Sequence, residues 1–158
     1  MKPFKIERVS FGDKRGCFHE ISRSSSVGFD FKQLNFVFSW DNVVRGLHYQ
    51  VDKPQGKLLL VTTGTIWDVA VSPEGEVYKF HLTSGNAVYI PPGYAHGYWT
   101  LKPTDVVYMC TEEYDQTLDR AWNPLSKSLP ELPWHGVENL LISDKDKNAP
   151  EFIKGEMS

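Results

Sequence analysis

The sequence VVRGLHYQ at residues 43–50 is the stretch on which the interpretation of the fold depends. It is typical of a β-strand, in which alternate side chains share a face. Strict alternation predicts that His48 shares one face with Gly46 and Gln50, while Arg45 points to the other. A residue as small as Gly46 beside a histidine leaves room for a ligand to approach the backbone. A lone histidine also fits a structural role. Whether His48 is structural or functional therefore depends on motifs elsewhere in the chain.

Most of residues 1–110 consist of short apolar stretches separated by turn residues. The predicted strands cover residues 33–39, 57–63, 66–71, 77–82, 87–90 and 105–110. The SPEGE sequence at residues 72–76 predicts a turn between two of them. Strands at a spacing of about 8–12 residues, without helical patterns between them, indicate an antiparallel sandwich or barrel. We therefore expect an all-β fold.

The composition limits the classes of protein to consider. A chain of 158 residues is expected to form a single domain over residues 1–158. Its net charge of −3 argues against nucleic acid as a partner. No apolar run approaches the roughly 20 residues of a membrane span, and the N-terminus lacks the apolar core of a signal peptide. Cys17 and Cys110 lie far apart and are expected to be reduced, buried thiols of a cytoplasmic protein.

The last third of the chain has a different pattern. Residues 115–135 contain three prolines and two tryptophans, Trp122 and Trp134, without a clean period. We expect an irregular but ordered C-terminal segment that covers the barrel, with the tryptophans in the core or in a lid. The charged run at residues 143–148 predicts a helical turn with Ser143 as its N-cap.

Residues 85–96 follow the pattern G-x5-P-x-G-x2-H and so resemble the second signature of the cupin superfamily, whose members are double-sheet jelly rolls. The closing Asn of that signature falls on Thr100, which is a departure. The first cupin signature supplies metal ligands through H-x-H and a Glu, where this chain has His48, Gln50 and then Gln55. Neutral amides are poor substitutes for imidazole and carboxylate at a transition-metal site. We therefore expect a cupin-type jelly roll without a metal.

The candidate residues suit proton transfer next to a ketone. His48 can act as a general base near neutral pH, and Tyr114, after the last predicted barrel strand, can act as an acid. Lys57 or a neutral His96 can donate a hydrogen bond to a carbonyl oxygen that becomes an enolate. A base on one face of a sugar ring and an acid on the other would invert a carbon. Two candidates for binding a diphosphate are Arg15 and Arg45.

Several stretches together resemble one enzyme family. They are DKRGCFHE at residues 13–20, RGLHYQ at 45–50, QGKL at 55–58, PGYAHGY at 92–98 and SDKD at 143–146. RGLHYQ and PGYAHGY form a highly specific pair. On these motifs the chain is similar to the nucleotide-sugar 4-keto-6-deoxyhexose 3,5-epimerases of the dTDP-4-dehydrorhamnose type.

The resemblance implies a role for each matching residue. His48 would be the base, with Asp146 orienting it, and Tyr114 the opposing acid. Lys57 would stabilise the enolate oxygen, and His96 would contact the sugar. The other substrate-binding positions would be Phe18, Gln33, Asn35 and Arg45, together with Arg15 and Glu20, which would reach the neighbouring site of a homodimer. The family uses no metal and no organic cofactor, and its substrate is a nucleotide-diphospho-sugar.

Two departures from the family pattern leave the nucleotide and the sugar open. The turn at residues 72–75 is short, and residues 119–124 match the family only loosely. The alternatives at this point are a 3,4-ketoisomerase, a single-site epimerase of a different nucleotide sugar, a metal-dependent cupin and a sugar-binding module without catalysis.

Overall fold

The computed structural model describes residues 1–157, and Ser158 lies outside the described part. The chain forms twelve strands and two short helices within that range. These are β1 Phe4–Ile6, β2 Val9–Asp13, β3 Gly16–Glu20, α1 Ser24–Val27, β4 Gln33–Ser39, β5 Val44–Gln50, β6 Lys57–Thr63, β7 Thr65–Val71, β8 Val77–Thr83, β9 Ala87–Ile90, β10 Ala95–Thr100, β11 Thr104–Cys110, β12 Asp119–Ala121 and α2 Asp144–Lys147. The strands predicted from alternation and turn residues are confirmed, with their ends shifted by at most one residue.

Two five-stranded antiparallel sheets form the body of the fold. The first has the order β1-β9-β6-β11-β4 and the second the order β12-β5-β10-β7-β8. Strands β2 and β3 form a separate hairpin. Apart from β7 and β8, neighbouring strands in each five-stranded sheet are not consecutive in the chain, as is typical of a jelly roll. The expected double-sheet jelly roll is confirmed.

Apolar side chains fill two main layers, and a smaller buried cluster contains Val27, Leu58 and Tyr89. The layer between the sheets combines residues such as Leu59 of β6 with Ile66 of β7. A second layer covers the outer face of the second sheet, where Trp122 and Trp134 pack against Leu47 and Tyr49 of β5. Trp134 is fully buried and Trp122 nearly so. The C-terminal segment therefore covers the sheet as expected, with both tryptophans in the core.

The alternation predicted for residues 43–50 is wrong at Arg45. Its partner in β10 is Tyr98, whereas the partner of His48 is His96, so β5 holds one more residue than β10 between the two pairs. Such a bulge moves the following side chains to the other face of a strand. As a result, Arg45 and His48 point to the same side, into one cavity, while Leu47 packs in the core.

Two further expectations concern single residues. Cys17 is exposed, contrary to prediction, because nothing else in residues 1–157 forms a layer over the β2–β3 hairpin, whereas Cys110 is buried as expected. The predicted N-cap is confirmed, since the Ser143 hydroxyl accepts a hydrogen bond from the Asp146 amide at 3.1 Å. Neither helix within residues 1–157 has the length and apolar character to cross a membrane.

The close approach of β5 and β10 predicts that Gly46→Ala destabilises the protein. Gly46 has a φ of +127°, and an added Cβ would lie 2.5 Å from the Gly97 Cα. Both the backbone conformation and the space exclude a side chain, so we expect a loss of roughly 3 kcal/mol in the free energy of unfolding. Urea denaturation measures it. Gly12→Ala, whose Cβ would meet only an oxygen 3.8 Å away, is the control and should change the stability by less than about 0.5 kcal/mol.

Candidate active site

A cavity of about 560 Å³ lies on the side of the second sheet that carries Arg45 and His48. Strands β4, β5, β6, β10 and β11 contribute to its wall, and residues 140–147 of the C-terminal segment close it. Aliphatic side chains from β4, β6 and residues 140–142 form one part of the lining. The charged or titratable side chains in the lining are Arg45, His48, Lys57, His96, Lys145, Asp146 and Lys147, together with two tyrosines.

His48 and Asp146 form a hydrogen-bonded pair in this cavity. The His48 Nε2 lies 2.7 Å from the Asp146 Oδ1, and Asp146 is only 4% exposed. Burial alone would raise the pKa of Asp146, but its hydrogen bond with His48 and the His48 charge, aided by the Gly46 amide and the Ser143 hydroxyl, lower it below the usual value. The carboxylate is therefore ionised at neutral pH and accepts the Nε2 proton. This leaves the Nδ1 of a neutral His48 free to take a proton from a ligand.

A second such pair lies beside the first. His96 is the cross-strand partner of His48, and its Nε2 lies 2.7 Å from the Asp68 Oδ2. Asp68 is completely buried, and its Oδ1 accepts no hydrogen bond from residues 1–157. No role for Asp68 was predicted from the sequence. A carboxylate within the apolar stretch IWDVAV at residues 66–71 was the signal available, because a buried charge requires a partner.

Two of the cations that line the cavity, Lys57 and Arg45, come from the strands. Lys57 is partly buried at the start of β6, and its burial lowers the pKa of its ammonium group, although the nearby Cys110, Asp119 and Asp68 act in the opposite direction. Arg45 is oriented by hydrogen bonds from its Nε to the Ser39 hydroxyl at 2.9 Å and from its guanidinium to a backbone carbonyl. The two cations lie where they can contact a negatively charged oxygen of a ligand.

Tyr114 is not among the residues that line this cavity. It is half exposed, and its hydroxyl lies 3.3 Å from the Asp119 Oδ2. The ammonium group of Lys145, which does line the cavity, contacts the same oxygen at 2.6 Å. Asp119 therefore connects Tyr114 to the rim of the cavity, a connection that the sequence did not reveal. Partial burial and the Asp119 carboxylate raise the pKa of Tyr114, so its phenol stays protonated at neutral pH.

Gln33 and Asn35 lie on β4, on the same face as Val37, which lines the cavity. Neither of the two polar side chains lines the cavity itself. The Gln33 Nε2 donates to the Asn35 Oδ1 at 2.8 Å, and the Gln33 Oε1 accepts the backbone amide of Tyr114 at 2.6 Å. Their observed role is to connect β4 to the loop that carries Tyr114.

The structure does not bring Arg15, Phe18 and Glu20 into the cavity of their own chain. All three belong to the β2–β3 hairpin, where Arg15 pairs with Asp13 and Glu20 with Arg23. Phe18 is 65% exposed. Their side chains are thus available to another surface.

The donor atoms in the cavity do not form a metal-binding set. Within residues 1–157, no three His, Cys, Asp or Glu side chains are grouped in a way that could hold a metal ion. The cavity offers two imidazoles with carboxylate partners, the partly buried ammonium group of Lys57, the guanidinium group of Arg45, and the lysines of the C-terminal segment. Such a set can remove a proton from a carbon acid and stabilise the negative oxygen that results.

The comparisons with known proteins agree with this chemistry. The sequence model of the family described as dTDP-4-dehydrorhamnose 3,5-epimerase matches residues 2–154. The enzyme of that name from Methanothermobacter thermautotrophicus is 36% identical, over 90% of this chain and 85% of its own length. A dTDP-4-dehydro-6-deoxyglucose 3-epimerase from a Streptomyces species is 30% identical, over 95% of this chain and 84% of its own length.

Solved structures give the same result. The dTDP-6-deoxy-D-glucose-3,5-epimerase of Legionella pneumophila, in complex with dTDP-4-keto-L-rhamnose, superimposes with a TM-score of 0.87 at 32% identity, over 95% of this chain and 87% of its own. The resemblance seen in the sequence motifs is thereby confirmed. The chain is an isomerase and belongs to the dTDP-4-dehydrorhamnose 3,5-epimerase family.

Proposed function

We propose that this chain epimerises a dTDP-linked 4-keto-6-deoxyhexose at C3 and C5, the carbons on either side of the ketone. The observation that carries the proposal is the His48–Asp146 pair, which lies in a cavity with Lys57 and leaves one imidazole nitrogen free. The substrate class is taken from the matched relatives, and inversion of a carbon is the kind of reaction that an isomerase performs.

His48 performs the first half of the reaction. Its Nδ1 removes the proton from the carbon next to the ketone, and the electron pair of the broken C–H bond moves onto the C4 oxygen as an enolate. Lys57 donates a hydrogen bond to that oxygen as negative charge develops on it. The Asp146 carboxylate stabilises the imidazolium that forms, at a distance of 2.7 Å.

Tyr114 performs the second half. Its phenol returns a proton to the same carbon from the opposite face, which inverts the centre and restores the ketone. The reaction requires the half-exposed Tyr114 side chain to turn from Asp119 toward the substrate. A proton from solvent then restores the phenol, and the imidazolium loses its proton to solvent, so that protons balance over the cycle. These side chains complete the chemistry without a metal or an organic cofactor.

The diphosphate binds at the cationic side of the cavity. Arg45, Lys145 and Lys147 are the cations of the lining that can bind it, and His96 contacts the sugar. Gln33 and Asn35, on β4, lie along the side from which the sugar and the diphosphate enter the cavity. The single-site alternative, inversion at C3 alone, is the reaction named for the Streptomyces relative.

A homodimer completes the site in this proposal. The outward side chains of the edge strand β4 and the following tryptophan form an apolar stripe, and each is between 44% and 68% exposed: Leu34, Phe36, Phe38 and Trp40. Phe11 and Phe18 of the β2–β3 hairpin are exposed as well. Apolar surface of this kind is typical of an interface, and a second copy of the chain would bury it. The hairpin would then lend Arg15, Phe18 and Glu20 to the partner's cavity.

The setting of the enzyme follows from the same features. We place it in the cytoplasm, because Cys17 and Cys110 are free thiols. Residues 1–158 act as one domain, since both sheets and the C-terminal segment contribute to a single cavity.

Solvent exchange tests the proposed reaction. In heavy water with a dTDP-linked 4-keto-6-deoxyglucose, the chain should introduce deuterium at C3 and C5 and form the inverted product, as followed by NMR. His48→Ala should reduce exchange and product by about 10³-fold or more while the fold is retained, because the base is lost. Exchange at C3 alone would make the chain a single-site epimerase. No exchange at either carbon with any nucleotide tested, or a shift of the keto group, would contradict the proposal.

Mixed dimers test whether Arg15 acts in the partner's cavity. A dimer of one Arg15→Ala chain and one His48→Ala chain, purified with two different tags, should regain about half of the unmodified activity, because one of its two sites is intact. Each parent dimer should stay at least about tenfold below the unmodified enzyme in kcat/KM.

The matched control uses Arg45, which acts in its own chain. A mixed dimer of Arg45→Ala and His48→Ala chains has a defect in both sites and should stay inactive. Equal recovery of activity in the two mixed dimers, or a monomeric protein in solution, would contradict the proposal that Arg15 acts in the partner's site.

A further inference from the structure

Three glutamine side chains bind the backbone around Tyr114. The Gln33 Oε1 accepts the amide of Tyr114 at 2.6 Å, and the Gln55 Nε2 donates to the Glu112 carbonyl at 2.9 Å. Gln50 binds this loop on both sides of Tyr114. Its Nε2 donates to the Glu113 carbonyl at 3.3 Å, and its Oε1 accepts the Asp115 amide at 3.0 Å.

These contacts explain why amides occupy positions where a cupin has metal ligands. Gln50 is only 5% exposed, and its Nε2 also donates to the Lys53 carbonyl at 2.9 Å. A carboxamide offers two donor hydrogens and an acceptor oxygen, and Gln50 uses all of them on backbone groups. Neither a carboxylate, which donates nothing, nor a neutral imidazole, which donates once, could make the same set of bonds.

Gln50 also connects the two halves of the proposed chemistry. It lies two residues after His48 on β5, a distance of about 7 Å along a strand. Asp119, which contacts the Tyr114 hydroxyl, pairs with Gln50 in the sheet. The strand that carries the base is therefore joined directly to the loop that carries the acid.

We propose that Gln50 is a positioning residue, which sets the place of Tyr114 relative to His48 through the backbone on both sides of the tyrosine. This inference rests on the proposed role of Tyr114 as the proton donor. Proton transfer from a fixed donor is sensitive to displacements of about 1 Å, so loss of the contacts should impair the return of the proton more than its removal.

The experiment separates these two half-reactions in heavy water. Proton removal is reported by deuterium in the recovered substrate, and its return from the opposite face by inverted product. In Gln50→Leu, the ratio of inverted product to exchanged substrate should fall by about tenfold or more, because His48 still removes and returns protons on its own face. Gln116→Leu, the same substitution at an exposed position of the same loop, should leave the ratio unchanged.

A double-mutant cycle determines whether Gln50 acts through Tyr114. In a Tyr114→Phe background, Gln50→Leu should change the rate of inversion by less than about twofold, since there is no phenol left to position. Gln50→Glu keeps the acceptor for the Asp115 amide and the size of the side chain, and should lower the ratio less than Gln50→Leu. If Gln50→Leu does not fold, the same measurements are made on Gln50→Glu.

The outcomes distinguish this inference from the proposed function. An equal decrease of exchange and inversion in both Gln50 variants, or losses that add fully to that of Tyr114→Phe, would overturn the positioning role alone. Absence of both exchange and inversion in the unmodified chain would overturn the proposed function and this inference with it.

Discussion

The hydrogen bond between the His48 Nε2 and the Asp146 Oδ1 is the contact on which the site depends. It joins strand β5 to the short helix α2, almost a hundred residues later in the chain. The carboxylate is buried, so without its partners it would be destabilising. Ser143 caps the helix, and the bulge at Gly46 turns His48 toward it. The C-terminal segment thus has two roles: it closes the cavity, and it orients the His48 imidazole.

The jelly roll uses hydrogen bonds where related cupin sites use metal ligands. His48 resembles a cupin ligand in its place in the sequence, but here His48 and His96 are each bound by a carboxylate, Asp146 or Asp68, at 2.7 Å. Gln50, where a second histidine would lie, binds the backbone beside Tyr114 instead.

Local sequence patterns predicted most of the fold but only part of the site. Alternation and turn residues located the strands, since those signals are local. The predicted face of β5 for the Arg45 side chain was wrong. The bulge that turns this side chain depends on the pairing of β5 with β10, which the sequence of one strand does not encode. The exposure of Cys17 depends on the absence of a covering layer, which is a tertiary property. Asp68 was overlooked as the partner of His96, because the two meet only through sheet pairing.

The protonation of His48 tests the central claim most directly. Long-range ¹H–¹⁵N spectra of the histidine-labelled protein, with the His48 signals assigned from a His48→Gln variant, report which ring nitrogen carries the proton. The bond to an ionised Asp146 predicts that neutral His48 is protonated at Nε2 and has a bare Nδ1, and that Asp146→Asn abolishes this preference. A proton on Nδ1 in the unmodified chain would contradict the account, because the base would then have no free nitrogen to offer the sugar.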